Sequence, residues 1–280
     1  MTEISENESN QSVRAMHERH MAGGQACYFA LDGNQLEVRS EQRRWVAAHR
    51  EKASRLLDIS NTDRFADLGC GEGYLTLFLA QQAGWNIGID FVGSSLYVLK
   101  AQAEYDQRKL HLIVASGDDI PLPNASVSKL LCNHVLEHVL DDDAVIREIH
   151  RVICPGGRIL IGIPIELSPQ IRLAIRLRRL LFPRSRILQL EKARPGQLVP
   201  ELIGRQSHIR FYSLQAMKQL LVRNGFRVLC AEGIGLSSRG SMRELFRRNS
   251  LLFGLSTVLG QLLPGVSDGV LVLAERRLGD

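Results

Sequence analysis

A glycine-rich turn at residues 67–73, with the sequence DLGCGEG, constrains the fold of this chain more than any other feature. It follows a short apolar run and precedes an apolar, helix-like run at residues 74–83, so it is predicted to join a strand to a helix. Glycines at alternate positions allow positive φ angles and let a ligand lie against the main chain. A dinucleotide site has the spacing G-x-G-x-x-G, whereas here the third glycine comes one residue earlier. The carboxylates of Asp67 and Glu72 would repel a pyrophosphate and suit a ligand with an ammonium or sulfonium group.

The segments after this turn alternate between strand-like and helix-like patterns, which indicates a parallel, doubly wound sheet. The second predicted strand, residues 85–90, ends in Asp90, which lies 23 residues after Asp67. An acid at the tip of the second strand of a β-α-β unit can accept hydrogen bonds from both ribose hydroxyls. Further strands are predicted at 111–115 and 129–134. The ends of all these strands are expected at one edge of the sheet, where a ligand would bind.

Several motifs in this order resemble those of class I S-adenosylmethionine (SAM)-dependent methyltransferases. The turn at 67–73 resembles their first motif, and the loop SGDDIPLP at 116–123 resembles the loop in which an aspartate holds the adenine. The strings EHV at 137–139 and CPGG at 154–157 closely resemble methyltransferase type 11, the type found in ubiquinone and menaquinone biosynthesis.

This resemblance covers residues 40–165 well and residues 207–277 loosely. It implies a seven-stranded, mostly parallel, doubly wound Rossmann-like α/β sheet whose last strand is antiparallel. It also implies that N-terminal helices close over the cofactor.

The resemblance implies SAM as the cofactor. Asp67 and the glycine turn would shape the methionine side of the pocket, Asp90 would bind the ribose and Asp118 the adenine, with Asp119 as an alternative to Asp118. The predicted cofactor-binding residues are Asp67, Gly69, Cys70, Gly71, Gly73, Asp90, Phe91, Asp118, Asp119 and Asn133.

Two histidines, His134 and His208, are candidates for the chemistry. The methyl group of SAM is already activated, so the protein mainly aligns the acceptor and excludes water, and a base is needed only if the acceptor starts protonated. Asn133 and His134 end the fourth predicted strand, where the methyl group is expected, and histidine titrates in the range of a base. The alternative for His134 is a polar side chain that lines the pocket. His208 could face the acceptor or form an ordinary loop hydrogen bond, and His138 is more simply structural.

Residues 134–138 also fit H-x-x-E-H, the inverted zinc-protease motif. That interpretation requires both histidines on one long helix and a distant third ligand, whereas the first histidine here ends a predicted strand. Some quinone-pathway methyltransferases bind a divalent metal through acids and a histidine at this place, but His134 stands where an acid is expected. We therefore predict that no metal is bound.

The chain is predicted to consist of a polar tail and cap segment at residues 1–37 and a methyltransferase domain at 38–280, with helical inserts at about 166–207 and 238–264. Helices are expected at 11–21 and 38–57. The sequence contains no run of about 20 apolar residues that could span a bilayer, and we expect no signal peptide. The five cysteines are scattered and form no C-x-x-C pair, which fits a reducing compartment and argues against structural zinc. We expect a cytoplasmic protein.

The first insert carries most of the positive charge. The net charge of the chain is +5, and residues 170–194 alone hold eight basic residues and one acid. A leucine stripe beside an arginine stripe is typical of a membrane-surface helix, but it also fits a solvated lid. The scarcity of aromatic residues among these arginines argues against nucleic acid as a partner. We predict peripheral contact of residues 170–194 with the inner membrane surface.

The second insert contains a predicted helix at 251–263 with an apolar stripe, which is most simply core or the wall of a pocket for an aliphatic acceptor. Together with the first insert, it favours an amphiphilic acceptor. The sequence does not indicate the oligomeric state.

The predicted function is the transfer of a methyl group from SAM to a small-molecule or lipid-like acceptor. Methylation at oxygen or carbon is favoured over nitrogen in nucleic acid, because the Asn/Asp-Pro-Pro-aromatic string of many N-methylating enzymes is absent after the fourth strand. One alternative is a non-catalytic SAM-binding partner subunit or sensor. A second is a nicotinamide oxidoreductase, which the glycine spacing argues against.

Overall fold

The structure is a computed structural model that describes residues 29–32, 35–38, 43–105, 109–165, 194–203, 208–235 and 250–278. Nine strands and six helices are named here in chain order. The strands are β1 (Phe29–Asp32), β2 (Gln35–Val38), β3 (Arg64–Leu68), β4 (Trp85–Asp90), β5 (His111–Val114), β6 (Val127–Asn133), β7 (Ile153–Pro164), β8 (Phe226–Gly235) and β9 (Gly269–Arg276). The helices are α1 (Arg43–Leu57), α2 (Thr76–Leu79), α3 (Gly93–Tyr105), α4 (Asp142–Val152), α5 (Leu214–Arg223) and α6 (Ser250–Leu262). Short 3-10 helices lie at Pro200–Leu202 and Pro264–Val266.

Seven of the strands form one sheet in the order β5-β4-β3-β6-β7-β9-β8. Strands β3 to β7 pair in parallel, and β9 runs antiparallel to both of its neighbours, β7 and β8. The predicted fold class is therefore confirmed. The strand order places the carboxyl ends of β3, β4 and β6 side by side, so Leu68, Asp90 and Asn133 lie at one edge.

Helices cover the sheet because their apolar stripes pack against buried strands. Val145, Ile149 and Val152 of α4 belong to the same buried cluster as Ile159 and Ile161 of β7. Residues of α1 lie in a second cluster, which also contains the side chains of Leu79, Leu131 and Leu273. The sheet is therefore buried between layers, as continuous apolar strands require.

Side-chain caps mark the starts of two helices. Helix α4 begins after Asp141, whose side chain accepts a hydrogen bond from the Ala144 N–H. Ser213 caps α5 in the same way by accepting from the Ala216 N–H. Gly225 follows α5 with φ +85°, a conformation that glycine adopts without steric cost.

The N-terminal part contains an antiparallel hairpin, β1–β2, that the sequence analysis did not predict. The pairing joins Phe29 to Val38 and Asp32 to Gln35, within and just beyond the predicted tail and cap segment. Helix α1 begins at Arg43, five residues after its predicted start at 38, and residues 39–42 lie outside the described residues. The helix predicted at 11–21 also lies outside them.

Most of the first insert, including residues 170–193 of its basic segment, lies outside the described residues. The second insert is described from α6 onward, and its helical prediction is confirmed there. The prediction that the apolar stripe of α6 is core is wrong for its most exposed members: Leu251 is 81% and Leu262 70% exposed.

Helix α6 instead packs with its small residues. Ser256 and Gly260 are buried, and a Cβ built on Gly260 would lie 2.9 Å from the backbone of Gly235 in β8. The missing side chain therefore lets the two backbones touch, and the leucines point away from that contact. Among the described residues, no helix is both long and apolar enough to cross a membrane.

Candidate active site

The glycine turn takes the conformation that its sequence predicts. Gly69, Gly71 and Gly73 have φ angles of +74°, +50° and +84°. A Cβ on Gly69 would lie 2.2 Å from Val135 and one on Gly73 2.2 Å from Leu99, so both positions require glycine for packing as well as for φ. A Cβ on Gly71 would meet nothing within 4 Å. Gly71 is therefore the point of the turn at which a ligand can approach the main chain.

Cys70 contributes its backbone rather than its side chain to the turn. Its N–H donates to the carbonyl oxygen of Ile89 at 3.1 Å, and the N–H of Gly69 donates to the same oxygen at 2.7 Å. Its side chain is buried in a cluster with Leu77 and Leu99, and burial raises the pKa of the thiol well above its ordinary value. The thiol is thus a packing group.

Asp67, at the end of β3, is a buried carboxyl group with an unusual pKa. It accepts a hydrogen bond from the Thr76 hydroxyl at 2.6 Å and is 3% exposed. Burial and the nearby charge of Asp90 raise its pKa from 3.8 to about 7, against the smaller lowering effect of the Thr76 hydrogen bond. A cationic group of a ligand at this place would favour the ionised form.

Asp90 links the glycine turn to the end of β4. One oxygen of its carboxylate accepts from the Gly71 N–H at 2.8 Å, and the other accepts from the Val92 N–H at 2.9 Å. Phe91 follows it and is partly buried, whereas Asp118 and Asp119 are exposed in the loop after β5. The backbone topology places all four residues at or after the carboxyl ends of β4 and β5, at the same edge of the sheet, and their role in binding the cofactor stays a prediction.

Asn133 and His134 occupy the end of β6, as predicted. The Asn133 side-chain N–H donates to the Tyr74 hydroxyl at 2.8 Å. His134 has φ +57°, which is uncommon for a residue with a Cβ, and its N–H donates to the carbonyl oxygen of Gly162 at 2.8 Å. Such backbone strain occurs preferentially at functional sites.

Glu137 is the most deeply buried charge at this edge, and the sequence analysis gave it no role. Its Oε1 lies 2.9 Å from Nδ1 of His134, and its side chain is 0% exposed. Burial on its own raises the pKa of Glu137, but the hydrogen bond from His134 and the charges of His138, His134 and His208 lower it to about 2. Because the carboxylate is ionised, it accepts the Nδ1–H of His134 and leaves Nε2 of that ring as the proton acceptor.

The structure brings His208 to the same cluster from a distant part of the chain. Its ring lies 5.0 Å from that of His138, in an edge-to-face arrangement. The Ile209 N–H donates to the carbonyl oxygen of Glu137 at 2.9 Å, which ties this segment to the loop after β6. His208 thus lies beside Glu137, a placement that the sequence did not predict.

Two groups among the described residues bring three potential metal ligands together. Glu137, His138 and His208 place one ligand atom each within 4.8 Å of one another, and so do Asp141, Asp142 and Asp143. Nitrogen and carboxylate ligands of the first group are those that zinc accepts. The carboxylate of that group already accepts a hydrogen bond from His134, and the absence of a metal stays a prediction.

Helix α1 supplies a wall of the site that the sequence analysis missed. The rings of Trp45 and His49 lie 4.9 Å apart, and Tyr74 stacks on Trp45 at 6.2 Å. His49 is 0% exposed, and its Nδ1 lies 3.2 Å from the Tyr74 hydroxyl. The spacing of Trp45 and His49, four residues apart on a helix expected to close over the cofactor, was the available signal.

Burial, together with the charges of His134 and Lys52, lowers the pKa of His49 from 6.5 to about 3. His49 is therefore neutral at physiological pH. The hydrogen bonds from Asn133 to Tyr74 and between Tyr74 and His49 join this wall to the end of β6.

The comparisons with known proteins agree with this geometry. A family model described as a methyltransferase domain matches residues 66–161, which run from β3 into β7. A protein of Mycolicibacterium smegmatis named "Probable S-adenosylmethionine-dependent methyltransferase" is 31% identical over 46% of this chain and 50% of its own length. A demethylmenaquinone methyltransferase of Lactobacillus johnsonii is 27% identical over 64% of this chain and 73% of its own length.

Solved structures agree on the fold at lower identity. A SAM-dependent methyltransferase from Thermotoga maritima has a TM-score of 0.59 at 14% identity, and covers 94% of this chain and 99% of its own. The cyclase SpnF has a TM-score of 0.60 at 13% identity, and covers 97% of this chain and 96% of its own. The chain spans about half the length of the first curated relatives that it matches. In its glycine turn, its acid at the end of β4 and its sheet order, this chain is similar to the class I SAM-dependent methyltransferases, and it shares their fold.

Proposed function

We propose that this protein binds SAM and transfers its methyl group to an oxygen or carbon atom of a small-molecule or lipid-like acceptor. The observation that carries the proposal is the His134–Glu137 hydrogen bond of 2.9 Å at the end of β6, on the same sheet edge as the glycine turn. It joins a partly exposed imidazole to a fully buried carboxylate. That arrangement suits an oriented base beside a cofactor site.

The cofactor is held by the residues of the carboxyl edge. Gly71 offers open space at the main chain, and Asp67 offers a carboxylate for the ammonium group of the methionine part. Asp90 is assigned to the ribose, with Phe91 beside it, and Asp118 or Asp119 to the adenine.

SAM, when bound, supplies a methyl group that is activated by its sulfonium. The chain has to align the acceptor and take up its proton. The Nδ1–H of His134 is directed to Glu137, so Nε2 would take the proton of an acceptor hydroxyl. The acceptor oxygen would then replace the sulfur on the methyl carbon, and S-adenosylhomocysteine would be the leaving group. Glu137 stabilises the resulting imidazolium, because its own pKa lies far below that of histidine.

Two supports point to an amphiphilic, ring-containing acceptor. Several relatives at 27–30% identity carry the name demethylmenaquinone methyltransferase, whose acceptor is a quinone-type ring. Helix α6 packs against the last residue of β8, and its side chains of Leu251, Leu255 and Leu262 are exposed. We assign the protein to the cytoplasm, at the inner membrane surface. We also propose that the base acts without a metal.

The test is label transfer from methyl-labelled SAM to lipid and metabolite fractions of a cell extract. We expect one fraction to gain label with the wild-type protein and not with His134→Asn, a variant that keeps the positive φ and the donor toward Glu137. Transfer should be unchanged after dialysis against a chelator. SAM binding without label in any fraction would favour the alternative, a non-catalytic SAM-binding subunit or sensor.

The membrane part of the proposal has its own test. Basic residues near an anionic surface contribute about 1 kcal/mol each, and salt screens this contribution. Binding to anionic vesicles should therefore be salt-sensitive, weak on neutral vesicles, and reduced when Arg172, Arg176 and Arg179 are changed to Gln. Protein that stays in the supernatant with anionic vesicles at low salt would leave residues 170–194 as an ordinary lid.

A further inference from the structure

A chain of hydrogen bonds leads from the end of β6 to the buried ring of His49. The Asn133 N–H donates to the Tyr74 oxygen at 2.8 Å, and the Tyr74 hydroxyl lies 3.2 Å from Nδ1 of His49, which we assign as the acceptor of that hydrogen bond. A neutral imidazole carries one N–H, and its other nitrogen is an acceptor. Because Nδ1 accepts, the hydrogen of the neutral ring is on Nε2.

This Nε2–H has no hydrogen-bond partner among the described residues, although it is buried. Native proteins pair nearly all of their buried polar groups, so an orphaned donor needs an explanation. Protonation does not change this situation, because the pKa of His49 is about 3 and the ring stays neutral at physiological pH. A bound molecule with an acceptor oxygen would satisfy the group.

The surroundings of His49 define the shape of that molecule. Trp45 lies edge-to-face with the His49 ring, and Tyr74 lies 5.8 Å from it. Trp45 and Tyr74 are only partly buried and lie at 29° to one another, so they present flat apolar surfaces near the donor. The Lys52 ammonium, whose charge acts on His49, already donates to the Gly233 carbonyl oxygen at 2.7 Å. Arg50 donates to the Tyr74 carbonyl oxygen at 2.8 Å. A neutral donor between aromatic rings suits an uncharged oxygen on a flat ring better than a carboxylate.

We propose that His49 is an acceptor-binding residue whose Nε2–H donates a hydrogen bond to a carbonyl or hydroxyl oxygen of a flat, uncharged ring held beside Trp45 and Tyr74. This inference rests on the proposed function and deepens it by naming the chemical class of the acceptor. The two imidazoles of the site then have opposite roles. His49 donates a hydrogen bond and fixes the ring, while His134 accepts a proton.

The first test needs no acceptor. Nitrogen NMR of the protein with labelled histidine should show His49 in the Nε2–H form, without a change of tautomer between pH 6 and 8. The Tyr74→Phe variant should loosen this preference, because Nδ1 loses its donor. A wild-type His49 with its hydrogen on Nδ1 would overturn the proposal.

The second test separates the acceptor from the cofactor as the source of the oxygen. His49→Phe keeps an aromatic ring and removes the donor, and His150→Phe is the matched control, since His150 packs edge-to-face on Phe226 away from the site. Thermal melting shows whether each variant is folded. With the extract fraction that gains label as the probe, we expect His49→Phe to raise the acceptor KM about tenfold, as the loss of one neutral hydrogen bond does. The dissociation constant for SAM should stay within about twofold, and the control should change neither.

Each contrary outcome has a distinct meaning. An unchanged acceptor KM in folded His49→Phe would overturn the proposal. A tenfold loss of SAM affinity instead would assign Nε2 to the carboxylate of the cofactor and overturn the acceptor role. Absence of label transfer by the wild-type protein would overturn the proposed function and the acceptor role with it, and the tautomer measurement would still decide whether His49 is a donor.

Discussion

Two carboxyl groups, Asp67 and Glu137, are buried at the same edge of the sheet, but their pKa values are shifted in opposite directions. Burial raises the pKa of both groups, because it disfavours the charged form. Asp67 faces one hydroxyl group and the like charge of Asp90, and its pKa is about 7. Glu137 receives a hydrogen bond from His134 and lies among three histidines, and its pKa is about 2. The neighbouring groups, and not the depth of burial, therefore decide which of the two carboxyl groups is ionised throughout the physiological pH range.

This difference assigns different tasks to the two groups. A carboxyl with a pKa near 7 can respond to a ligand, since a nearby ammonium group stabilises its ionised form. A carboxylate with a pKa near 2 stays charged and can hold the tautomer of a neighbouring base. Substitutions at these two carboxyl groups, or at a neighbour of one of them, separate the two tasks.

The largest effect is expected at His134, the partner of Glu137. His134→Ala and His134→Asn should lower turnover by roughly 10²–10⁴-fold, the usual contribution of a general base. SAM affinity should be nearly unchanged, because the base acts in the transition state and not in cofactor binding. Single-turnover label transfer and calorimetry measure the two quantities. Full turnover by folded His134→Asn would reduce His134 to a pocket-lining residue, with His208 as the next candidate.

The second effect concerns Asp67 and the pH dependence of stability. Its folded pKa of about 7 lies above the ordinary 3.8, so its contribution to stability is complete below about pH 3.8 and is lost as the pH rises through 7. Asp67→Asn cannot ionise and keeps an acceptor for the Thr76 hydroxyl. Without SAM, we expect the variant to be more stable than wild type at pH 8.5, by up to about 4 kcal/mol.

Urea denaturation at pH 4 and pH 8.5 measures this effect, and the two proteins should differ little at pH 4. The same variant should bind SAM more weakly, because the ammonium group loses its carboxylate. Equal stability differences at both pH values would show that Asp67 has an ordinary pKa.

Sequence reasoning could assign Asp67 but not Glu137, and the reason is physical. Asp67 acts within a contiguous strand–turn–helix, where local spacing determines the geometry. The environment of Glu137 depends on His208, which is 71 residues away and reaches it through the Ile209 hydrogen bond. His49 was missed for the same reason, because its partner Tyr74 lies on a different element.

The fold itself was predictable where short patterns determine it. The alternation of strands and helices agrees with the sequence pattern, and the antiparallel β9 agrees with what the family resemblance implied. The apolar stripe of α6 did not predict its buried face, since Gly260 allows a backbone contact that periodicity does not reveal.

Glu137→Gln is expected to have the third largest effect, with the opposite pH dependence. The folded pKa of about 2 lies below the ordinary 4.5, so the stability that Glu137 contributes is present above pH 4.5 and is lost as the pH falls towards 2. We expect the variant to be less stable by about 3 kcal/mol at pH 7, with a smaller difference at pH 4. Urea denaturation at pH 7 and pH 4 measures the difference in free energy of unfolding between the variant and wild type. A difference that is larger at pH 4 than at pH 7 would contradict the low pKa of Glu137.

The smallest effect is expected for Asp90→Asn, which tests why the pKa of Asp67 differs from that of Glu137. Asp90 is the like charge that adds to the pKa of Asp67, and its carboxylate also accepts from the N–H groups of Gly71 and Val92. Asp90→Asn should therefore lower the pKa of Asp67 and leave that of Glu137 in place, because Asp90 is not among the groups that act on Glu137.

Carbon NMR titration of the two carboxyl groups follows both pKa values in one sample. Calorimetry of the same variant should show weaker SAM binding, by roughly 1.5–3 kcal/mol for each charged hydrogen bond that is lost. If the pKa of Asp67 stayed near 7 in this variant, burial alone would account for it, and the contrast with Glu137 would then depend entirely on the histidines. If instead SAM affinity were unchanged, Asp90 would serve only to hold the glycine turn, and the ribose would have to be bound by another group on the edge.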